Sequence, residues 1–454
     1  MFTVLDRFGG WCILLCTGGR QYMRILHIIQ RYWPYVGGSE RQFQEFSERL
    51  VRDGHHVTIY TTDAWDLEHF WVRGKKRIQI EQEEHNGVII RRFPVRHIAP
   101  TPLAYPAIRR LMLTLSQLPA DLSGVISRLA RLTPWVPDLE YTLDHEQQRY
   151  DIVGGMNIVF DSLLAPALRF ARRTGAPFVL HPLTHLGEDK DSTVRRYYTM
   201  PHQLQLLRES DAIILQNAQE GAVLARLGVP ADKMVVVGSG VNPHQLAGGQ
   251  AERFRQIYGV TGPIVAYLGT AAYDKGAHHS LQAMQQLWQQ GVEATLVFAG
   301  PTMDHFMSFY HAQPEEVRRY CRVLGFISED DKRDLLAACS LLVLPSRTDS
   351  FGIVFPEAWL YGKPVIGARA GGIPSVISDG IDGFLVPFGD VRALARRIHQ
   401  LLTDSDLARR MGEQGQQKTL SELTWDRKYS IVRQVYECLG GATAHRHDPK
   451  LVET

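Results

Sequence analysis

The run Pro345-Ser346-Arg347-Thr348-Asp349-Ser350-Phe351-Gly352-Ile353-Val354-Phe355-Pro356-Glu357-Ala358 sets the reading of this chain. It follows the fully apolar stretch Leu341-Leu342-Val343-Leu344, a buried-strand pattern, and leads into a predicted helix. Backbone N–H groups at that helix start, around Gly352, Ile353 and Val354, are suited to an anion such as a diphosphate, and the helix dipole favours the charge. Gly352 lets the anion approach the main chain closely, and Pro356 is tolerated in a first helical turn. Glu357 stands about one turn in, where an acceptor-only carboxylate can grip a ribose diol. By itself the run also fits an ordinary strand–turn–helix with a solvated acid.

Outward from this run, short apolar segments alternate with helical-period segments, the pattern of α/β architecture with parallel sheets. Pro364-Val365-Ile366 follows it; Thr295-Leu296-Val297-Phe298 and Pro263-Ile264-Val265-Ala266-Tyr267-Leu268 precede it. The first half has its own set: Arg24-Ile25-Leu26-His27-Ile28-Ile29, Val57-Thr58-Ile59-Tyr60, Asp151-Ile152-Val153, Pro177-Phe178-Val179-Leu180, Asp211-Ala212-Ile213-Ile214-Leu215 and Lys233-Met234-Val235-Val236-Val237. Two successive doubly wound domains are expected, 23–245 and 262–420, with ligands held in a shared cleft at the carboxyl ends of the strands. The charged stretch 244–262 has no strand pattern and reads as the connection between them. The βα rhythm lapses over about 98–148. There the Leu-rich segment 105–132, with Arg109, Arg110, Arg128 and Arg131, reads as helices inserted into the first domain. Residues 1–22 precede the first convincing strand and read as a dispensable extension. Residues 441–454 have no apolar period and read as a disordered tail.

Composition narrows the function classes. A length of 454 residues leaves room for two to three domains with full cores. A formal net charge of +2 implies no polyanion partner, and nucleic acid is not an expected ligand; attraction to phosphate or membrane must come from local patches. Cys12, Cys16, Cys321, Cys339 and Cys438 are odd in number and match no zinc or redox spacing, so a reduced, cytoplasmic compartment is expected. No apolar run reaches about 18 residues, so no membrane-spanning segment is expected. The mildly apolar residues 8–16 lie behind Asp6 and contain Gly9 and Gly10, a poor signal peptide.

A second strand-to-helix loop carries Leu268-Gly269-Thr270 and then Lys275-Gly276. A lysine there suits the neutralisation of a leaving diphosphate, although a surface lysine before a helix makes the same pattern. Gly371-Gly372-Ile373-Pro374 and Gly37-Gly38-Ser39-Glu40 allow close backbone approach, as turns often do. Other features carry no chemistry in this reading. His181 and His185 have the spacing of a zinc helix, but Pro182 stands where that motif has its glutamate. Asp404-Ser405-Asp406 imitates a metal-binding pair yet falls between helices, and His278-His279 reads as exposed. No metal site is expected. Gly238-Ser239-Gly240 lacks the third glycine of a dinucleotide fingerprint, which disfavours a nicotinamide oxidoreductase.

Together these motifs resemble family 4 of the retaining glycosyltransferases, which have the GT-B fold. That family carries Glu-Ser/Gly-Phe-Gly-x-x-x-x-Glu-Ala, then Gly-x-Pro-Val-Ile and Gly-Gly-x-Pro. Here these are Asp349 to Ala358, Gly362 to Ile366 and Gly371 to Pro374. Gly37-Gly38-Ser39-Glu40, Gly54-His55-His56-Val57, Gly238-Ser239-Gly240-Val241-Asn242, Lys275-Gly276 and Gly300-Pro301 match as well, in family order. The resemblance runs from Met23 to about Tyr436. It implies two Rossmann-like domains facing a cleft and a final helix, 421–440, with Trp425 near its start, crossing back to the first domain.

The resemblance also implies chemistry: transfer of a sugar from a nucleotide-diphosphate donor to an acceptor hydroxyl with retention, by front-face displacement, with no cofactor and no metal. By it, Glu357 would hold the ribose hydroxyls and Lys275 the diphosphate, with Gly352 and the amides of Ile353 and Val354. Backbone at Phe326 and Ile327 would meet the base, Asp349 the donor sugar, and Gly38 would close over the diphosphate. A histidine after a central strand of the first domain lies near the anomeric carbon in this family; His185 is the better match and His181 the second. This chain departs from the family in three places. Asp349 is one methylene shorter than the usual glutamate, Thr270 stands where an arginine is common, and Ser375 replaces a frequent glutamate. A silent nucleotide-sugar-binding member, or a GT-B epimerase or phosphorylase, stays open as an alternative. The acceptor is open too. The segment 105–132, with Arg195, Arg196, Tyr197 and Tyr198, fits either a peripheral contact with an anionic membrane bearing a lipid-linked acceptor or an ordinary helical insertion.

Overall fold

The computed structural model describes residues 22–35, 37–186 and 193–444. The extension expected over 1–22 lies outside them apart from Tyr22. So does the tail beyond residue 444; before it, a helix runs unbroken over Trp425–Ala444. The chain divides into two compact units. One comprises Met1–Thr184, Thr193–Val237 and Tyr429–Thr454, the other His185–Ser192 and Gly238–Lys428.

In the first unit the described strands are β1 (Arg24–Ile28), β2 (His56–Thr62), β3 (Gln82–His85), β4 (Val88–Phe93), β5 (Ile152–Met156), β6 (Phe178–His181), β7 (Ala212–Leu215) and β8 (Met234–Val236). They form one sheet in the order β3-β4-β2-β1-β5-β6-β7-β8, parallel except for β3 against β4. Strands covered on both faces read as continuous apolar runs, and every residue of β5, β6 and β7 is buried. β3 is different: Gln-Glu-Glu-His is a polar edge that no apolar residue marks in the sequence. Its signal is the turn. Asn86 and Gly87 both have positive φ, +51° and +77°, as a two-residue hairpin turn requires. Helices Ala104–Leu115, Ser123–Ala130 and Pro137–His145 fill the region where the βα rhythm lapses. The first two close over a small core of their own around Met112, Ile126, Ala130 and Met200.

The second unit has β9 (Ile264–Leu268), β10 (Thr295–Ala299), β11 (Cys321–Gly325), β12 (Leu341–Leu344), β13 (Val365–Ala368) and β14 (Gly383–Val386). Their order is β11-β10-β9-β12-β13-β14, and all neighbours are parallel. The order reverses between β9 and β12. The connections from these two strands therefore run on to opposite faces of the sheet, and the carboxyl ends at this reversal are the usual ligand position in such sheets.

The segment 244–262 is not a free connection. It contains the helix Ala251–Tyr258, which packs on the helix Glu329–Ala338 of the second unit. The amide of Gln250 donates to Asp334 at 2.7 Å, and Arg253 grips the same buried carboxylate with two nitrogens. The segment lies within the Gly238–Lys428 part of the second unit. Read alone, the segment looks like a charged linker because its partner stands some eighty residues downstream. Gly240 belongs here too: a Cβ on it would lie 2.7 Å from the Trp425 nitrogen, where the Val241 amide donates to the Leu423 carbonyl and the Trp425 amide donates to the Val241 carbonyl. The close approach of two backbones, not a nucleotide, accounts for this glycine.

Candidate active site

The loops after β9 and β12 meet at the switch point of the second sheet. Gly276, at φ +80°, would put a Cβ 2.4 Å from the Pro345 carbonyl, so only glycine lets the loops approach this closely. The Arg347 amide donates to the Asp274 carbonyl at 3.0 Å, and the Arg347 guanidinium binds the Asp274 carboxylate through Nε at 2.8 Å and Nη2 at 2.5 Å. Between these pairs sits a second one. Lys275 Nζ lies 3.0 Å from Asp349 Oδ2, an ion pair whose angles are not those of a hydrogen bond. Buried Tyr267 donates to the Thr270 carbonyl at 2.9 Å and bridges to that of Lys275 at 3.2 Å, fixing the loop that presents the lysine. Thr270 itself brings no charge. On the other side, the Gly372 amide donates to the Asp349 carbonyl at 2.8 Å, and a Cβ on Gly371 would lie 2.5 Å from it. The loop after β13 thus props the loop after β12.

Gly352, at φ +77°, turns the chain into the helix Val354–Leu360, which Ile353 caps without any side-chain bond. The cap residue itself therefore brings no side-chain acceptor to the first-turn amides. Glu357, in the first turn, is 9% exposed, and its Oε1 accepts from Lys332 Nζ at 3.0 Å. Lys332 also pairs with Glu329 at 2.8 Å. Burial pulls the Lys332 pKa down, but the charges and hydrogen bonds of Glu357 and Glu329 outweigh it and leave the pKa raised. Lys332 is a site residue that no motif marked: it lies one helical turn from Glu329, but 25 residues from Glu357. Phe326 and Ile327 follow β11. The Phe326 side chain is 86% exposed, the most exposed large apolar residue among those described.

His185 joins this group. The ring keeps some surface exposed, and its Nδ1 lies 3.1 Å from the Thr348 carbonyl oxygen. Burial and then the Lys275 charge lower its pKa, opposed by Thr348 and Asp349. His181 is elsewhere. It is fully buried in the first unit against the rings of Phe43 and Phe46, with its pKa pushed down to about 3 by burial. Gly38 also lies in the first unit, as the first residue of the helix Gly38–Arg52. A Cβ there meets nothing within 4 Å, whereas one on Gly37 would strike the Glu40 carboxylate at 2.5 Å. Of the pair, Gly37 is the crowded one.

His278 and His279 are not exposed as expected. His279 is buried and His278 partly so, in an aromatic cluster with Tyr273, His305, Phe309 and Phe388. Asp404 caps the helix Ser405–Glu422 by accepting from the Leu407 amide at 2.9 Å. Among the described residues, no group of three or more His, Cys, Asp or Glu side chains is arranged to hold a metal ion.

Comparison with known proteins bears on this geometry. The family described as Glycosyl transferases group 1 matches residues 250–418, and the Glycosyl transferase 4-like domain matches 37–240. Glycogen synthase of Mycobacterium tuberculosis is 26% identical over 430 residues, covering 91% of this chain and 94% of the relative. D-inositol 3-phosphate glycosyltransferase of Streptomyces scabiei is 29% identical over 297 residues, 61% of this chain and 65% of the relative. In structure, sucrose-phosphate synthase of Thermosynechococcus elongatus superposes with a TM-score of 0.68 at 19% identity, over 92% of this chain and all of the other. HepE of Anabaena, solved in complex with UDP-glucose, gives 0.66 at 19% identity with the same coverage. At such identity these structures establish the architecture, and the two family matches fall one on each half of the chain. The chain belongs to the family 4-type glycosyltransferases of the GT-B fold.

Proposed function

We propose that this glycosyltransferase moves a sugar from a nucleotide-diphosphate donor to an acceptor hydroxyl with retention of anomeric configuration, and without a metal. One observation carries the reading. The switch-point crevice of the second sheet gathers a cation (Lys275), uncapped first-turn amides at Ile353 and Val354, and a nearly buried carboxylate (Glu357). Those groups suit, respectively, a leaving diphosphate, its oxygens and a ribose diol. The complexes of HepE with UDP and UDP-glucose support the same donor class. Phe326 and Ile327 fit the base side, and Asp349, beside Lys275, fits the donor sugar. His185 shares that end of the crevice, its proton affinity lowered by burial and by Lys275, so it serves as a neutral ring near the anomeric carbon. With the leaving phosphate taking the acceptor proton, the work of these residues is positioning and charge stabilisation.

The test is turnover with a panel of nucleotide sugars, with the anomeric configuration of the product read by NMR and the reaction repeated in excess chelator. Retained configuration and unchanged rate are expected. An inverted product refutes the stereochemical reading, and loss of activity restored by magnesium or manganese refutes the metal-free one. Absence of both transfer and slow donor hydrolysis would favour a silent binding protein, a reading that Thr270 and the short Asp349 support.

The acceptor reading rests on the inserted helices. Leu103, Leu111, Leu118, Val125 and Trp135 are exposed there, among exposed Arg110, Arg128 and Arg131. Exposed apolar side chains with arginines in the same segment suit peripheral contact with an anionic membrane holding a lipid-linked acceptor; Arg109 is not one of these arginines, being buried against Asp161. No helix among the described residues is long and apolar enough to cross a membrane. The free thiols of Cys321 and Cys339 go with a reducing, cytoplasmic side. Sedimentation with phosphatidylglycerol but not phosphatidylcholine vesicles is expected; equal or no binding refutes it.

A further inference from the structure

The loop leaving β6 in the first unit is held in an unusual way. Leu183 adopts φ +53°, a left-handed backbone that costs a side-chain-bearing residue about 1–2 kcal/mol. Asn157, just after β5, also has positive φ, at +73°. Two main-chain bonds tie these segments together: the Asn157 amide donates to the His181 carbonyl at 2.8 Å, and the Ile158 amide to that of Pro182 at 2.9 Å. Backbone in such regions persists only where its surroundings over-determine it.

The remaining restraint is a side chain. The Thr184 amide donates to Glu220 Oε1 at 2.6 Å, and the Gln216 amide to Oε2 of the same carboxylate at 2.7 Å. Gln216 in turn donates through its side chain to Gln42 Oε1 at 2.8 Å. Glu220 is fully buried in the first turn of the helix Ala218–Arg226, and its own amide donates to the N-cap Asn217 at 2.9 Å. No basic side chain pairs with it among the described residues; hydrogen bonds alone oppose the penalty of its burial. In its ionised form the Glu220 carboxylate accepts at both oxygens and donates at neither, so it fixes two amides at once, which a glutamine cannot do. The residue after Thr184 is His185, whose ring lies beside Thr348.

We propose that Glu220 is a positioning residue for sugar transfer: by clamping the amides of Thr184 and Gln216 it fixes the point from which His185 is presented. This rests on the role given to His185 above. Placement of a reacting group matters steeply, since a misplacement of about 1 Å lowers a rate by about 100-fold. Glutamine at position 220 would turn an N–H donor toward one of the two amides and release it. The nucleotide-side residues Lys275, Ile353, Val354 and Glu357 stand on other elements and should not sense the change.

The experiment compares kcat, nucleotide Kd and amide hydrogen exchange in the full chain for Glu220→Gln, His185→Ala and the double variant. Glu220→Gln should lower kcat at least about 10-fold with nucleotide Kd within about twofold, and should add less than about twofold in the His185→Ala background. Exchange at Thr184 and Gln216 should quicken selectively. Effects that multiply in the double variant would overturn the proposal, because Glu220 would then act independently of His185. Unchanged exchange would overturn the clamp itself. Near-wild-type kcat in His185→Ala would instead remove the histidine reading, and the exchange data would show whether the clamp survives it. If Glu220→Gln does not fold, Glu220→Asp, which keeps the charge one methylene back, serves in the same cycle with the same criteria.

Discussion

Glu357→Gln is the sharpest perturbation of the donor site. The carboxylate lies at 9% exposure with one oxygen 3.0 Å from Lys332. Hydrogen bonds to a charged group contribute about 1.5–3 kcal/mol, so removing the charge that a ribose diol meets should weaken nucleoside-diphosphate binding about 10- to 100-fold. The fold should lose less. Lys332 keeps Glu329 at 2.8 Å, so no buried ammonium is stranded, and about 1–2 kcal/mol of stability is the expected loss, below that for breaking a fully buried pair. Titration calorimetry gives the affinity and urea denaturation the stability. A diphosphate lacking the 2′-hydroxyl makes the test specific: it should bind the natural protein more weakly and Glu357→Gln with little further loss, because both changes remove the same contact. Wild-type affinity in a well-folded Glu357→Gln would refute the ribose assignment, and equal 2′-deoxy penalties in both proteins would refute the geometry.

Lys275→Ala should lower kcat more than donor affinity, since its charge acts most on the departing diphosphate; steady-state kinetics beside a nucleotide Kd decides, and a pure binding defect counts against it. Gly276→Ala should destabilise the chain by more than the about 1–2 kcal/mol of a left-handed backbone, because its Cβ would also meet the Pro345 carbonyl at 2.4 Å; an unchanged melting curve would contradict this. Burial holds the Glu220 carboxyl up at about 7, above its unfolded-state value of about 4.3. Its contribution to stability is therefore full below about pH 4 and lost as pH rises through about 7, by about 4 kcal/mol in all. Denaturation across pH 4 to 8 should show that loss in the natural protein and not in Glu220→Gln; parallel curves would mean that Glu220 does not titrate there.

By itself the sequence determined what depends on near neighbours along the chain. Apolar runs such as Leu341-Leu342-Val343-Leu344 and the helical periods between them specify the alternation that builds two doubly wound sheets. The run from Pro345 to Ala358 carries its own turn, glycine and acid, so its loop and helix were legible before any contact was known. Two edge strands were not: β3, Gln-Glu-Glu-His, has no apolar residue, and β11, Cys-Arg-Val-Leu-Gly, is short and only half-buried beyond its first residue. Tertiary structure decided what depends on distant partners. It set Lys332 against Glu357 and Arg347 against Asp274, and brought Ala251–Tyr258 into the second unit through Asp334. It set His278 and His279 among aromatic rings, and it separated His181, sealed against Phe43 and Phe46, from His185, which lies beside Thr348. Burial and pairing are properties of packed neighbours, and four residues of sequence between two histidines say nothing of which one the fold encloses.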